Sequence, residues 1–228
     1  MRLDILKALN EERAARRAVA VVTNQDSGEQ RVVKVADVRN DPLKGVLEEH
    51  FRSGKSGMEE TAEGNVFLTV HVPSPKLVIT GAVHISQALA PIGRMLGYDV
   101  TIVDPRTAFA TAERFPDVKV IAEWPDVALP PIGIDRYTAF VALTHDPKID
   151  DPGLTMALKS DCFYIGALGS RKTHARRLER LKTERGFTDN DLGRIHAPIG
   201  LDIGAVSPPE IAVSIMGEIV QRMRQEPS

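Results

Sequence analysis

A glycine turn followed by an acidic residue is the first feature of the sequence that could bind a ligand. The segment Thr80-Gly81-Ala82-Val83-His84 lies between an apolar run and a helical pattern, and an aspartate follows at about the 20-residue separation typical of dinucleotide-binding turns. Amides at a helix N-terminus favour an anion, and such a carboxylate accepts hydrogen bonds from ribose hydroxyls. The ligand contacts predicted here are Gly81, Ala82, His84, Asp104 and Arg106.

Two positions in this turn differ from the dinucleotide-binding pattern. Val83 and Ser86 stand where G-x-G-x-x-G has its second and third glycines. The branched side chain of Val83 obstructs the close approach of a pyrophosphate to the backbone. Two interpretations stay open: a binding loop with an altered diphosphate position, and a glycine that serves only the connection from strand to helix.

A second glycine loop precedes a strongly charged helical segment. Two glycines and a serine let backbone amides converge, and the residues that follow are rich in arginine and lysine. This combination favours an anion cradle, while the alternative is an ordinary glycine turn before a solvated helix. The predicted contacts are Gly166, Gly169, Ser170 and Arg171.

Other reactive side chains give weaker indications. His145 and Asp146 follow an apolar run, but neighbouring side chains on an extended segment point apart, so we assign no catalytic pair. His196 and Asp202 lack a third ligand with suitable spacing, so no metal site is predicted. Cys162 lies in an apolar run and is interpreted as a small buried hydrophobic residue.

The pattern of predicted helices and strands changes at Pro73-Ser74-Pro75, a segment that can continue neither a helix nor a central strand. Before it, helical spacing opens the chain, and strands are predicted at 19–23, 31–35 and 65–70, with a short helix at 41–51. After it, apolar runs at 77–80, 100–103, 118–121, 139–143 and 162–165 alternate with helices at 84–96, 152–158, 171–185 and 208–223. The pattern predicts a small N-terminal α+β domain (1–72) and a doubly wound, mostly parallel Rossmann-like α/β domain (73–228).

Composition limits the classes of function. With 43% hydrophobic and 26% charged residues, the chain can bury a core. A formal charge of −2 gives no broad positive field for nucleic acid or an anionic membrane surface. A single cysteine, the absence of a long uncharged apolar run, and charges throughout the N-terminal apolar stripe predict a cytoplasmic protein.

These residues together resemble the XdhC/CoxI family of xanthine dehydrogenase accessory proteins, from about residue 76 to residue 222. The resemblance rests on G-A-V-H-I at 81–85, V-D-P-R at 103–106, E-R-F-P at 113–116, T-H-D at 144–146, Y-I-G-A-L-G-S-R at 164–171 and R-I-H-A-P-I-G-L-D-I-G at 194–204. Family members usually carry G-A-G-H-V-G at the first turn and cysteine-containing motifs in the N-terminal domain, which residues 1–72 lack.

The resemblance implies a chaperone that binds the molybdenum cofactor (molybdopterin) and delivers it to an apo molybdenum hydroxylase of the xanthine or carbon monoxide dehydrogenase type. The two glycine loops would then hold its phosphate, and His145, Asp146 or Asp202 would meet the polar pterin edge. Further implied partners are a sulfurtransferase and a separate protein that supplies the missing N-terminal function.

Two other functions remain open at this stage. The turn and Asp104 are also compatible with an NAD(P)-dependent oxidoreductase. Alternatively, the chain is a docking scaffold for a sulfurtransferase or an apo-hydroxylase, with the charged helix at 171–185 as its docking face. The apolar stripes of the first and last helices could also pack between two copies in a homodimer.

Overall fold

The computed structural model describes residues 2–225, which form two compact units. Residues 2–73 and 224–225 belong to the first unit and Ser74–Met223 to the second. The division into domains at 1–72 and 73–228 stays a prediction. No helix in the described part of the chain has the length and apolar character needed to cross a membrane.

The first unit is built on a four-stranded antiparallel sheet in the order β2-β1-β4-β3. Its elements are α1 (Leu3–Ala14), β1 (Val19–Asn24), β2 (Gln30–Lys34), a 3-10 helix (Val35–Asn40), α2 (Lys44–Ser53), β3 (Gly57–Thr61) and β4 (Gly64–His71). The predicted hairpin is present as β1 and β2. Strand β3 is absent from the sequence prediction because it buries no side chain fully at the sheet edge, and its sequence therefore lacks an apolar alternation.

A buried carboxylate connects α1 to the sheet of the first unit. Glu12 is almost fully buried in α1, and its oxygens accept hydrogen bonds from Arg17 at 2.6 and 2.9 Å. Lys34 at the end of β2 lies 3.1 Å from the same carboxylate. These hydrogen bonds, above all those of Arg17, outweigh burial and lower the pKa of Glu12 to about 2.

The second unit contains a six-stranded sheet in the order β10-β9-β8-β5-β6-β7, with every neighbouring pair parallel. Its strands are β5 (Lys76–Thr80), β6 (Asp99–Val103), β7 (Lys119–Ile121), β8 (Thr138–Ala142), β9 (Tyr164–Ala167) and β10 (Ile195–His196). Its helices are α3 (His84–Met95), α4 (Pro125–Ile132), α5 (Pro147–Leu158), α6 (Arg171–Arg185), α7 (Asp189–Leu192) and α8 (Pro208–Gln225), of which the last two residues are assigned to the first unit. The chain winds outwards from β5 in both directions, so the predicted doubly wound Rossmann-like fold is confirmed.

Helices cover both faces of this sheet. On one face, Leu89 of α3 and Ile215 of α8 pack in the same core as Ile79 of β5. On the other face, Leu154 of α5 and Leu181 of α6 pack in the core that contains the alternate strand residues. Strands buried on both faces read as continuous apolar runs, which explains why the sequence predicted them.

Several parts of the second unit differ from the sequence prediction. Helix α5 begins at Pro147 rather than at residue 152, and α7 and β10 were not predicted. Helix α4 was missed because it contains Pro125, Pro130 and Pro131, although the first lies in the opening turn, where its missing N–H is tolerated. The strand predicted at 162–165 lies at Tyr164–Ala167, so Cys162 precedes it. Cys162 is buried as expected, and burial raises the pKa of its thiol.

Replacing Glu12 by glutamine should remove a pH-dependent stabilisation. The pKa of Glu12 lies below its ordinary value of 4.5, so the stabilisation is complete above that value and is lost as the pH falls towards about 2. Because solvent screens Arg17 and Lys34, we expect the wild-type chain to lose only about 1–2 kcal/mol more unfolding free energy than the variant over this range. Urea denaturation followed by circular dichroism at a series of pH values measures the difference.

Glu11→Gln provides the matched control, since Glu11 is the exposed neighbour on the same helix. Its pH dependence should equal that of the wild type. An identical acid response in all three proteins would contradict the role given to Glu12.

Candidate functional site

The loops that follow β5 and β8 meet at the point where the order of the strands in the sheet reverses. Ligands bind at this position in this architecture. Gly81, directly after β5, has a φ of +113°, which L side chains rarely adopt. A Cβ atom at Gly81 would lie 2.8 Å from Thr144 Cγ2 and 3.3 Å from Thr144 N. The glycine is therefore required by the neighbouring loop, whatever it does for a ligand.

Asp104, just after the end of β6, is fully buried and has its oxygens occupied by protein donors. Oδ2 accepts from the Ala82 amide at 2.7 Å and from Arg106 Nη2 at 2.7 Å. Oδ1 accepts from the amide and the Nε of Arg106, both at 2.9 Å. A carboxylate offers about four acceptor positions, so none remains open for a ribose hydroxyl.

The same contacts determine the pKa values of Asp104 and Arg106. Burial raises the pKa of Asp104, but the hydrogen bonds from Arg106 and Ala82 outweigh it, and the pKa lies below the ordinary value. The hydrogen bond to Asp104 likewise raises the pKa of Arg106. Asp104 and Arg106 thus neutralise each other and hold the turn after β5, whereas the sequence suggested ribose and phosphate contacts for them.

Among the described residues, no side chain caps the N-terminus of α3 at Val83, and the contacts around it go to carbonyl groups. The Ser86 hydroxyl donates to the Gly81 carbonyl, and Val83 packs against the core. Arg114 donates to the carbonyls of Ala82 at 3.0 Å and Phe109 at 2.9 Å. His84, the first residue of α3, remains exposed.

Asp150 in α5 organises the loop after β8. It is buried, and its oxygens accept from the Thr144 hydroxyl at 2.7 Å, the Thr144 amide at 3.3 Å and the His145 amide at 3.1 Å. His145 has a φ of +65°, a left-handed conformation that the Asp150 hydrogen bond helps to stabilise. Burial raises the pKa of Asp150 despite these bonds. Asp146 caps α5 by accepting from the Lys148 amide at 2.9 Å.

The two glycines at the end of β9 and in the loop after it are required for different reasons: Gly166 lies in the strand and Gly169 in the loop. A Cβ atom at Gly166 would lie 2.4 Å from Ile199 Cδ1, so that glycine makes room for core packing. Gly169 has a φ of +140°, and Ser170 caps α6 by accepting from the Thr173 amide at 3.2 Å. Arg171 is exposed at the start of α6.

Arg177, further along α6, is 2% exposed and joins the two loops. Its Nη2 donates to the Leu168 carbonyl at 2.9 Å and lies 3.8 Å from Asp150 Oδ2. Burial lowers the pKa of Arg177, against the attraction of Asp150. Since Arg177 is buried and Arg180 pairs with Asp151, these two arginines do not contribute to an exposed docking face on α6.

Asp202 lies apart from the other predicted contacts. It is exposed in the loop after β10, the edge strand, and three inter-strand steps of about 4.8 Å separate β10 from β5. His196 hydrogen-bonds Glu218 through Nδ1 at 2.8 Å and stacks on Tyr164. Among residues 2–225, no three histidine, cysteine, aspartate or glutamate side chains are grouped so that they could share a metal ion.

The structure thus brings most of the predicted contacts to the carboxyl edge of β5, β6, β8 and β9 and leaves Asp202 outside. Their roles towards a ligand stay predictions. Sequence reasoning did not assign Thr144, Asp150 and Arg177 the role that they have in the structure, which is to hold these loops together. The mixed sequence P-K-I-D-D-P at 147–152 gave no indication of a buried carboxylate, and Arg177 was one cation among many on α6.

Three curated relatives match much of this chain. Uncharacterized protein YqeB of Escherichia coli K12 is 30% identical over 185 residues, covering 78% of this chain and 34% of YqeB. A probable xanthine dehydrogenase subunit from Bacillus subtilis 168 is 31% identical, covering 71% of this chain and 47% of that protein. Molybdenum cofactor insertion chaperone PaoD of E. coli K12 is 32% identical, covering 68% and 42%. The chain therefore spans between about a third and a half of the length of these relatives.

A solved structure and a family model agree with the fold described above. The crystal structure of a xanthine dehydrogenase from Bacillus halodurans superimposes with a TM-score of 0.70 at 24% identity, covering 96% of this chain and 66% of that one, which supports the fold alone. The model of the XdhC Rossmann domain matches residues 77–219, well over half of the chain. Because this match extends over more than half of the chain, the protein belongs to the XdhC family.

Proposed function

We propose that this protein is an accessory protein for a molybdenum hydroxylase and that it binds the molybdenum cofactor at the carboxyl edge of β5, β8 and β9. The observation that carries the proposal is the set of cationic donors on α6, directly after the glycine-containing loop that follows β9. In addition, two thirds of this chain matches a protein named as a molybdenum cofactor insertion chaperone. The protein acts as a carrier in this proposal, and no residue is given a catalytic role.

The residues at this edge suit a phosphorylated heterocycle. Molybdopterin carries a phosphate, which needs cationic or amide donors. Arg171 is exposed at the first turn of α6, where the backbone amides also favour negative charge. His145 and Asp146, in the loop after β8, are the polar side chains available to a pterin edge.

The proposed partner is an apo molybdenum hydroxylase, in keeping with the names of the relatives from B. subtilis and E. coli. Because residues 1–72 lack the cysteine-containing motifs usual in the family, we further propose that a separate protein supplies that function. A sulfurtransferase is a third proposed partner, acting while the cofactor is held.

The nicotinamide alternative retains one favourable observation, the strand order around β5. The occupied carboxylate of Asp104 and the side chain of Val83 oppose it. The carrier proposal is therefore preferred.

Arg171→Ala should weaken molybdopterin binding by about 1.5–3 kcal/mol, the range of a hydrogen bond to a charged group. The protein would be purified from a molybdenum-replete host, and the bound pterin would be measured by its fluorescence after oxidation. Arg185→Ala is the matched control, an exposed arginine in the last turn of the same helix. Pterin occupancy that is equal in the wild type and both variants would refute the phosphate contact, and a wild type without pterin would refute the cofactor proposal.

NADH and NADPH should fail to bind, because Asp104 has no acceptor position left for ribose and Val83 obstructs the diphosphate. Titration up to about 1 mM, followed by nicotinamide fluorescence, measures this. A saturable enhancement would restore the oxidoreductase interpretation.

A further inference from the structure

A small cavity beside α6 shares only His145 with the contacts proposed above. It has a volume of about 200 Å³ and is lined by residues of α5, α6 and the loop after β8. The lining residues are His145, Pro147, Asp150, Asp151, Thr173, Arg176, Arg177 and Arg180. We propose that this cavity is a binding site for a phosphate group, with Arg177 as its central donor.

The incomplete hydrogen bonding of Arg177 is the main argument. Its side chain is 3% exposed, and only Nη2 has partners, the Leu168 carbonyl and the more distant Asp150. The Nε and Nη1 atoms are buried without any hydrogen-bond partner among the described residues. Buried polar groups of folded proteins are nearly always satisfied, and an unpaired buried donor is costly, so these atoms require an acceptor.

The charges around the cavity call for an anion. Three arginines face two aspartates, which leaves one positive charge in excess. Arg180 is neutralised by Asp151 through bonds of 2.9 and 3.1 Å, and Asp150 directs its oxygens mainly to backbone and hydroxyl donors of Thr144 and His145. Arg176 and Arg177 therefore supply the attraction.

The arrangement of donors favours a phosphate over a carboxylate. Thr173, Arg176 and Arg177 belong to consecutive turns of α6, while His145 approaches from a different loop. A tetrahedral oxyanion accepts hydrogen bonds from several directions at once, whereas a carboxylate has two oxygens in one plane. The first turn of α6 adds the favourable end of the helix dipole.

Occupancy of this site would act on both neighbouring loops. Arg177 contacts the loop after β9 through Leu168 and the loop after β8 through Asp150. An anion that fixes the guanidinium would therefore also fix the backbone at His145 and Gly169. The phosphate site can be tested without a pterin, because the probe is inorganic phosphate. Failure of the pterin proposal would therefore not decide the phosphate proposal.

Isothermal titration of the full chain with inorganic phosphate tests the site. We expect saturable binding at phosphate concentrations below about 10 mM, with at least a tenfold loss of affinity in Arg177→Met and a several-fold loss in Arg176→Gln. Lys172→Gln, an exposed cation on the same helix outside the cavity lining, should bind as the wild type does. Sodium chloride at matched ionic strength controls for screening, and acetate controls for carboxylate binding.

Arg177 is buried, so circular dichroism must first show that Arg177→Met folds; if it does not, the more accessible Arg176→Gln decides. Undetectable heat with wild-type protein, equal affinity in Arg176→Gln, or equal binding of acetate would each overturn the proposal. A further titration into protein loaded with molybdopterin identifies the source of the phosphate. If the affinity for inorganic phosphate is unchanged, the site binds a free phosphate compound. If inorganic phosphate no longer binds, the site is occupied by the phosphate of the cofactor.

Discussion

The buried carboxylate of Asp150 is the interaction on which the candidate site depends. A charge at this depth is stable only if donors or opposite charges surround it. Thr144 and His145 in the loop after β8 donate to Asp150, and the guanidinium of Arg177 on the next helix lies 3.8 Å away. Satisfying one carboxylate therefore fixes the left-handed backbone of His145 and places α6 against α5. The contacts of Asp150 therefore position the loop after β8 directly and, through Arg177, the loop after β9.

Asp104 plays a comparable role on the other side of the switch point. Its four bonds to Ala82 and Arg106 hold the turn after β5, where a dinucleotide-binding fold would present a free acid. The residues that look most like ligand contacts in the sequence are thus largely satisfied within the protein. The donors that remain open lie on α6, which moves the expected centre of anion binding from β5 towards β8 and β9.

The match to the XdhC family covers the whole of this edge of the sheet. The family match covers residues 77–219 and includes both glycine loops, whereas the relatives extend well beyond the length of this chain. A Rossmann-like sheet supplies a rim at which many ligands can bind, and the function depends on the side chains placed there. In this protein those side chains include Arg171, which is exposed at the start of α6 directly after the loop that follows β9.

The amino-acid sequence was enough to predict the parallel sheet, because strands buried on both faces appear as apolar runs such as 139–143. The sequence also predicted α6 at 171–185 with both bounds correct. It also identified the loops at which ligands are expected, because glycines must stand where the backbone is left-handed or closely packed, as at Gly81. Which polar residues remain open became known from the folded arrangement alone. Asp104 and Arg177 are both charged in the sequence, but hydrogen-bond partners such as Ala82 and Leu168 come from other segments, and satisfaction of a buried charge depends on contacts that local sequence patterns do not contain.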